Sequence, residues 1–436
     1  MHSQGRGTAR PSPQGADAQL RNILHGGAVP SLPSVVSWSS AGKDRRVAKI
    51  KAHSLTGRIT ETLMHRAFRN VKRNRGAAGI DKVSIRLYEN NLAANLLALM
   101  RQLKGGTFRP LPLRRVWIPK GDGRTRPLGI PAVRDRVAQE VLRMILSPIF
   151  EPTFHDDSYG FRPGRNCHQA VERVLELRGQ GHSHVLDADI QGFFDNIPLR
   201  VIMAGVAAEV ADGNILCLVE RFLRAGVMEA GVFRPSTVGT PQGGVISPLL
   251  ANIALNSLDW QLHDAGFRFV RYADDFVVLA TSAAGVQQAH ALVQTHLSRL
   301  GLTLSAEKTQ LTRFREGFAF LGFVVTARTV TMRPKSVEKF KAKIREVTRR
   351  SHNLDQKVIL KVNAVVRGTA NYFATAFSSC RYLFRVLDKW LRMRIRSMKY
   401  KRKRATDNWR LRRQHFRHLG VVFLSDAGVH PAVEPT

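Results

Sequence analysis

The run Val270-Arg271-Tyr272-Ala273-Asp274-Asp275-Phe276-Val277-Val278-Leu279-Ala280 constrains this chain more than any other stretch. β-branched and aromatic residues flank two adjacent carboxylates. The pattern predicts two short strands with the Asp pair at the turn between them. An ionised carboxylate buried in such a run costs on the order of several kcal/mol unless it is paired or holds a cation. Two readings are open at this point. Asp274 and Asp275 cap a solvated hairpin turn, a common use of Asp, or they bind a metal ion.

Charge narrows the choice of partner. The 436 residues are enough for two or three domains and carry 68 Lys and Arg against 33 Asp and Glu, a net +35. A polyanion relieves that self-repulsion best, so nucleic acid is the first candidate and an anionic membrane surface its rival. No apolar run reaches the length of a span and no signal-peptide core stands at the N-terminus, so no membrane partner is expected. Cys167, Cys217 and Cys380 are scattered, outside any metal-ligand spacing. Each is expected to be a buried small hydrophobe in a reducing interior, with no zinc site and no disulfide framework.

Residues 1–50 are rich in Gly, Ser, Pro and Arg and are expected to form a flexible basic leader. A nucleic-acid-contacting arm and an organellar transit peptide are both open for it. Apolar spacing predicts helices over Leu55–Val71 and Ser84–Leu103, in an N-terminal helical extension covering 51–110. Leu113 to Pro131 reads as a basic hairpin with Asp122-Gly123 near its tip, and Lys120 and Arg126 flank the turn. Such cations can lie over a triphosphate or be ordinary solvated charges. A helix over Arg134–Ile149 leads to Ser158-Tyr159-Gly160-Phe161-Arg162-Pro163-Gly164-Arg165, a mixture suited to a nucleic-acid backbone or base.

His184–Ile190 reads as a strand whose alternation puts Asp187 and Asp189 on one face. Gly239–Pro248 is a Gly/Pro loop, with Gln242 in it, entering a helix over Leu249–Leu262. A helix over Ala283–Leu300 and short strands around 302–304, 310–313 and 318–325 follow. The order is α+β, an antiparallel sheet backed by helices. Residues 333–420 then carry 26 Lys and Arg against 5 Asp and Glu, +21 of the total +35. That concentration favours a nucleic-acid platform over a merely solvated helix face. Trp390, Tyr400, Trp409 and Phe416 are interleaved with it and are candidates for stacking on bases or for core packing.

Asp189, Asp274 and Asp275 thus form a set of carboxylates of the kind that binds Mg²⁺ beside substrate phosphates. Taken with Thr240-Pro241-Gln242-Gly243-Gly244, Tyr159–Gly164, Phe320-Leu321-Gly322-Phe323 and Arg367–Phe373, the chain resembles bacterial group II intron-encoded reverse transcriptase/maturases from about Gly76 to Phe373. The resemblance implies a right-hand polymerase with fingers, an antiparallel palm and a helical, basic thumb/maturase domain. Fingers and palm would span 111–330, the thumb 331–400, and a basic nucleic-acid-binding tail 401–436.

The resemblance implies Asp189, Asp274 and Asp275, with the Ile190 carbonyl, as ligands of two Mg²⁺ ions. It gives the dNTP triphosphate to Lys120 and Arg126, the deoxyribose to Phe194 and the nucleotide pocket to Gln242. Lys308 would lie near the site, and Phe320–Phe323 would grip the primer. The implied activity is RNA-directed DNA synthesis by two-metal phosphoryl transfer. Implied partners are intron RNA, an RNA template with a DNA primer or target, and dNTPs, with a homodimer left open. The implied role is in splicing and intron mobility, by target-primed copying, in a bacterial cytoplasm at the nucleoid. Two alternatives stay open: an RNA-binding splicing maturase with little or no polymerase activity, and a related enzyme recruited for defence. Gln191 stands where the family usually has Lys, and Thr369 where an aromatic is usual. No paired Cys clusters or His-Asn-His pattern follow Trp409, so no endonuclease domain is expected.

Overall fold

The computed structural model describes residues 51–119, 125–229, 231–235, 239 and 243–426. The leader, the hairpin tip with Lys120, and Thr240-Pro241-Gln242 lie outside the described residues. The strands are β1 (Leu113–Pro119), β2 (Thr125–Ile130), β3 (His184–Asp189), β4 (Val227–Glu229), β5 (Val232–Arg234), β6 (Arg268–Tyr272), β7 (Asp275–Ala280), β8 (Gln310–Arg313), β9 (Phe318–Phe320), β10 (Phe323–Val325) and β11 (Val330–Met332).

Three sheets result. The first has the order β2-β1-β4-β5, with β1 and β2 antiparallel from Arg114 opposite Ile130 to Pro119 opposite Thr125. The central sheet, β6-β7-β3-β8, is antiparallel throughout, as expected for a palm. The third is the meander β9, β10, β11. The single strand expected over 318–325 is therefore a hairpin, turned by Leu321 and Gly322 at φ +47° and +84°. Around 302–304 there is one isolated bridge, Ile190 with Leu304.

Both faces of the central sheet are covered. Leu186, Ala188, Phe276 and Val278 join one apolar cluster with the helices Val133–Phe150, Ser247–Asp264 and Ala283–Leu300. Val185, Val270, Val277 and Leu279 join a second with the helix Cys167–Gly179, β9 to β11 and the C-terminal helices. That is why Phe276 to Ala280 is apolar at every position rather than at every second one.

Two expected helices are broken, each at a polar signal. Ile59-Thr60 separates a short 3-10 turn, Thr56–Arg58, from the helix Glu61–Arg73, whose Leu63 amide Thr60 caps at 3.3 Å. The span 84–103 divides into Ile85–Glu89 and Leu92–Lys104 at Asn90-Asn91. Asn95 Nδ2 donates to the Tyr88 carbonyl at 2.8 Å, satisfying a group that the break would leave unpaired.

The C-terminal domain is built on the helices Pro334–Val347, Gln356–Phe373 and Arg381–Lys399. Residues beyond 400 pack back onto it. Phe416, Phe423 and Leu424 are fully buried, and Asp388 accepts hydrogen bonds from the amides of Leu424 and Ser425 at 2.8 and 3.0 Å. Through Leu411, Phe416, Val421, Phe423 and Leu424 this segment is thus anchored in the apolar cluster of the domain. Phe416 is a core residue, whereas Trp409 is 81% exposed. Of the cysteines, Cys380 is buried, but Cys167 and Cys217 are only partly so, since each sits at a helix surface that its neighbours do not fully cover. Among the described residues no helix is long and apolar enough to cross a membrane.

Candidate active site

The strand register brings the carboxylates together. β3 and β7 pair antiparallel with Asp189 directly opposite Asp275. Opposite residues project to the same face, as do Asp187 and Asp189 two apart on β3. Gln310 of β8 stands opposite Asp187 and donates to its Oδ2 at 3.0 Å. Asp274 occupies the turn between β6 and β7 with Ala273, whose φ is +61°.

Crowding shows in the electrostatics. Burial pushes the Asp275 carboxyl up to about 7, and Asp187, Asp274 and Asp189 push the same way, with Arg333 opposing. Asp274 is raised by burial and by Asp189. Asp187 is raised by burial, although Gln310 and Arg333 hold it down. Lys308 Nζ lies 2.7 Å from Asp189 Oδ2, in a pair open to solvent and therefore weak. The Ile190–Leu304 bridge is closed by the Ser305 amide on the Asp189 carbonyl (2.8 Å) and the Gln191 amide on that of Thr303 (2.9 Å), so it does not use the Ile190 carbonyl. Among the described residues, no three His, Cys, Asp or Glu side chains already form a closed metal-ligand set.

Beside the carboxylates opens a cleft of about 520 Å³ lined by Arg126, Phe161, Phe194, Gly243, Ser247 and Asp274, among others. Three expected site residues, Arg126, Phe194 and Asp274, therefore meet at one cavity. Lys120 and Gln242 fall outside the described residues. A cleft of the same volume near Leu354, Met398 and His418 in the C-terminal domain has no comparable set of carboxylates. At the cleft wall Gly243 has φ +114°, and a Cβ there would sit 2.2 Å from the Gly129 carbonyl oxygen. Only glycine lets this loop lie against β2. Buried Gln139 anchors the same loop, its Oε1 accepting from the Val245 amide at 2.6 Å.

A buried network holds the turn that carries Asp274, and sequence reasoning missed it. Arg271 is 1% exposed; its Nε donates to Asp259 Oδ1 at 2.7 Å and its Nη2 to Oδ2 at 2.5 Å. Nη1 donates to Asn252 Oδ1 at 3.0 Å and to the Ala273 carbonyl at 2.9 Å. Asn252 Nδ2 in turn donates to the Gly160 carbonyl at 2.8 Å. Gly160 underlies the turn so closely that a Cβ would lie 2.3 Å from the Ala273 nitrogen. The segment 158–165, expected to meet nucleic acid, is thus largely a brace. Tyr159 and Arg162 are buried, and Arg162 is spent on Glu151 (2.8 Å) and the carbonyls of His155 and Ser158 (2.6 and 2.7 Å). Phe161 is the member that faces the cleft.

The β9–β10 turn is tied to the C-terminal domain. Tyr372 Oη donates to the Leu321 carbonyl at 2.7 Å, and its ring stacks on Phe323 with centroids 5.6 Å apart. The end of the Arg367–Phe373 motif therefore packs on the segment Phe320–Phe323.

Residues 118–325 match the reverse transcriptase (RNA-dependent DNA polymerase) family, and residues 337–416 match the group II intron maturase-specific domain. Protein YkfC of Escherichia coli (strain K12) is 36% identical over 283 residues, 56% of this chain and 74% of YkfC. The group II intron-encoded protein LtrA of Lactococcus lactis subsp. cremoris is 38% identical over 197 residues, 44% of this chain but 32% of LtrA. The putative COX1/OXI3 intron 1 protein of Saccharomyces cerevisiae is 29% identical over 333 residues, 64% of this chain and 39% of that protein. The chain belongs to the reverse transcriptases of the group II intron maturase family.

Proposed function

We propose that this chain copies RNA into DNA at the cleft beside Asp189, Asp274 and Asp275, and that its basic C-terminal domain holds the intron RNA whose splicing and mobility it serves. The observation that carries the reading is the register of Asp189 against Asp275 beside a cavity shared by Arg126, Phe194 and Asp274. The donor set is all oxygen, crowded and short of neutralising charge, which suits hard divalent cations such as Mg²⁺. Asp189, Asp274 and Asp275, with the Ile190 carbonyl, would hold them. When bound, such ions ease deprotonation of a primer 3′-hydroxyl and neutralise a leaving pyrophosphate.

The chain's own residues do the rest. Arg126 pairs with the triphosphate through its planar fork of donors. Phe194 packs against the sugar and leaves no room for a 2′-hydroxyl. Lys308 steadies Asp189, and Arg271 fixes the turn that presents Asp274. dNTPs, an RNA template and a DNA primer are the substrates this arrangement fits.

Primer extension on an RNA template with Mg²⁺ tests the reading. Wild type extends the primer, and Asp274→Ala/Asp275→Ala does not. Extension by the double variant would overturn the site. A second reading, an RNA-binding splicing factor without synthesis, draws on the +21 net charge of residues 333–420. Splicing assays with the same variant separate the two, because RNA folding needs the basic domain and not the carboxylates.

A further inference from the structure

Phe161 differs from the residues around it. Tyr159 and Arg162 are buried, and Gly160 is clamped between Ala273 and the Asn252 amide, yet Phe161 is 53% exposed. Its φ is +60°, the left-handed region that a bulky side chain avoids. Such strain persists only where the surroundings impose it, and it gathers at functional sites. Here the imposing bonds are visible. The Tyr159 amide donates to the Arg271 carbonyl at 2.8 Å, and Arg162 is fixed to Glu151 at 2.8 Å and to the Ser158 carbonyl at 2.7 Å. With both neighbours pinned, the ring of Phe161 is driven into the cleft.

There it meets Phe194 edge to face, with centroids 6.4 Å apart and planes at 74°. Phe193 meets Phe194 from elsewhere at 5.4 Å. Phe161 also lies 6.5 Å from the Tyr272 ring, on the strand that leads to Asp274. Phe194 is therefore held by two rings, one from its own short helix and one from the brace beneath the catalytic turn.

We propose that Phe161 is a specificity-determining positioning residue. It backs the Phe194 ring and so keeps it where a 2′-hydroxyl would have to sit. This rests on the reading of the cleft as the nucleotide pocket and of Phe194 as its sugar-facing aromatic. A steric filter discriminates only as well as it resists displacement. With Phe161 gone, Phe194 keeps Phe193 and the edge of the apolar core on which it packs, but gains the space of a ring on the cleft side to move into.

The test compares the ratio of kcat/KM for a dNTP to that for the matching rNTP, in Mg²⁺-dependent extension of a DNA primer on an RNA template. The full-length protein is used as wild type, Phe194→Val, Phe161→Ala, Phe161→Leu and Phe161→Tyr. The ratio is expected to fall about tenfold or more in Phe194→Val and in Phe161→Ala, within the range that a single apolar pocket contact commands. Phe161→Tyr, which keeps the ring, should restore the wild-type ratio. Combining Phe161→Ala with Phe194→Val should add little, because both remove one filter. If Phe194→Val relaxes the ratio and Phe161→Ala does not, the role of Phe161 is overturned and the pocket reading stands. If Phe194→Val leaves the ratio intact, the pocket reading fails and the proposal with it. Should Phe161→Ala not fold, Phe161→Leu decides: an unchanged ratio overturns the proposal, and a relaxed one supports it.

Discussion

Arg271 and Asp259 form a bidentate ion pair in which each side chain is 1% exposed. The pair lies directly behind the turn that carries Asp274, and the guanidinium has one further arm on the Ala273 carbonyl. Removing one partner of such a pair strands a buried charge, at a cost of about 3–5 kcal/mol, whereas replacing both by apolar residues is often nearly neutral. Denaturant unfolding should therefore show Asp259→Leu far less stable than Arg271→Met/Asp259→Leu. The double variant should still lose about 10–100-fold in primer extension, as supporting contacts around a ligand set typically do. Full activity in a stable double variant would show that the turn needs no such support.

The carboxylate cluster should cost stability when no cation is present. Asp275 faces Asp187, Asp189 and Asp274 from a partly buried position. Asp275→Asn removes one negative charge with little change of shape. In EDTA its Tm should exceed that of wild type, by about 2–4 °C for each kcal/mol of relieved repulsion, while synthesis falls to background. Mg²⁺ should raise the Tm of wild type more than that of the variant. Equal Tm values in EDTA would mean that the cluster is not strained.

Gly243 fixes the distance between the cleft loop and β2. A Cβ there would stand 2.2 Å from the Gly129 oxygen, at a φ that alanine resists. Gly243→Ala should push the loop outward and raise KM for dNTPs about tenfold or more, the scale on which small misplacements act at reacting sites. Little change in Tm is expected, because the loop edges the core. An unchanged KM would place the loop outside nucleotide binding.

Acid should loosen the brace beneath the site. His155 Nδ1 accepts the Asp157 amide at 3.0 Å and its Nε2 meets His263 Nδ1 at 3.1 Å. Burial pushes its pKa below the usual range, and His263 adds to that, while Asp259, Asp157 and Asp156 oppose. A depressed folded pKa means that the fold favours the neutral ring. Its contribution is complete above the ordinary histidine value of about 6.5 and is lost as pH falls from there through the folded pKa. Between pH 7 and pH 5 the raised Asp275 carboxyl gains stability as it protonates, so the His155 contribution is read as a difference: His155→Gln should lose less Tm, or gain more, than wild type over that window. His296, also depressed by burial, keeps some slope in the variant. Identical slopes would remove His155 from the account.

What the sequence disclosed and what it hid follow one physical line. β7 and the Asp pair were legible because a run of β-branched and aromatic residues and a carboxylate within it are both local signals. The convergence of Arg126, Phe194 and Asp274 on one cavity was expected from resemblance and is a matter of long-range packing that no spacing reveals. Nothing in the sequence marks Arg271 or Arg162 as buried, since arginine is usually exposed. Their partners, Asp259 and Glu151, lie on other elements, so nothing nearby marks the pairs. The break at Asn90-Asn91 was written in two adjacent poor helix formers, and the apolar spacing around them concealed it. Phe416 stayed open between base stacking and core packing because its basic neighbours hide the fold-back that buries it.

The Tyr372 bond to the Leu321 carbonyl has a consequence for anyone recombining parts of such proteins. By sequence match, one module stops at 325 and the next starts at 337, which invites a splice between them. Yet Phe320 and Phe323 share one apolar cluster with Phe340, Ile344, Val366 and Phe373. A chimaera cut at 330 would set a foreign aromatic end against a native turn and orphan that carbonyl. A graft that respects this packing keeps β9 to β11 together with the helices through Leu424, so the exchangeable unit straddles the boundary that sequence similarity draws.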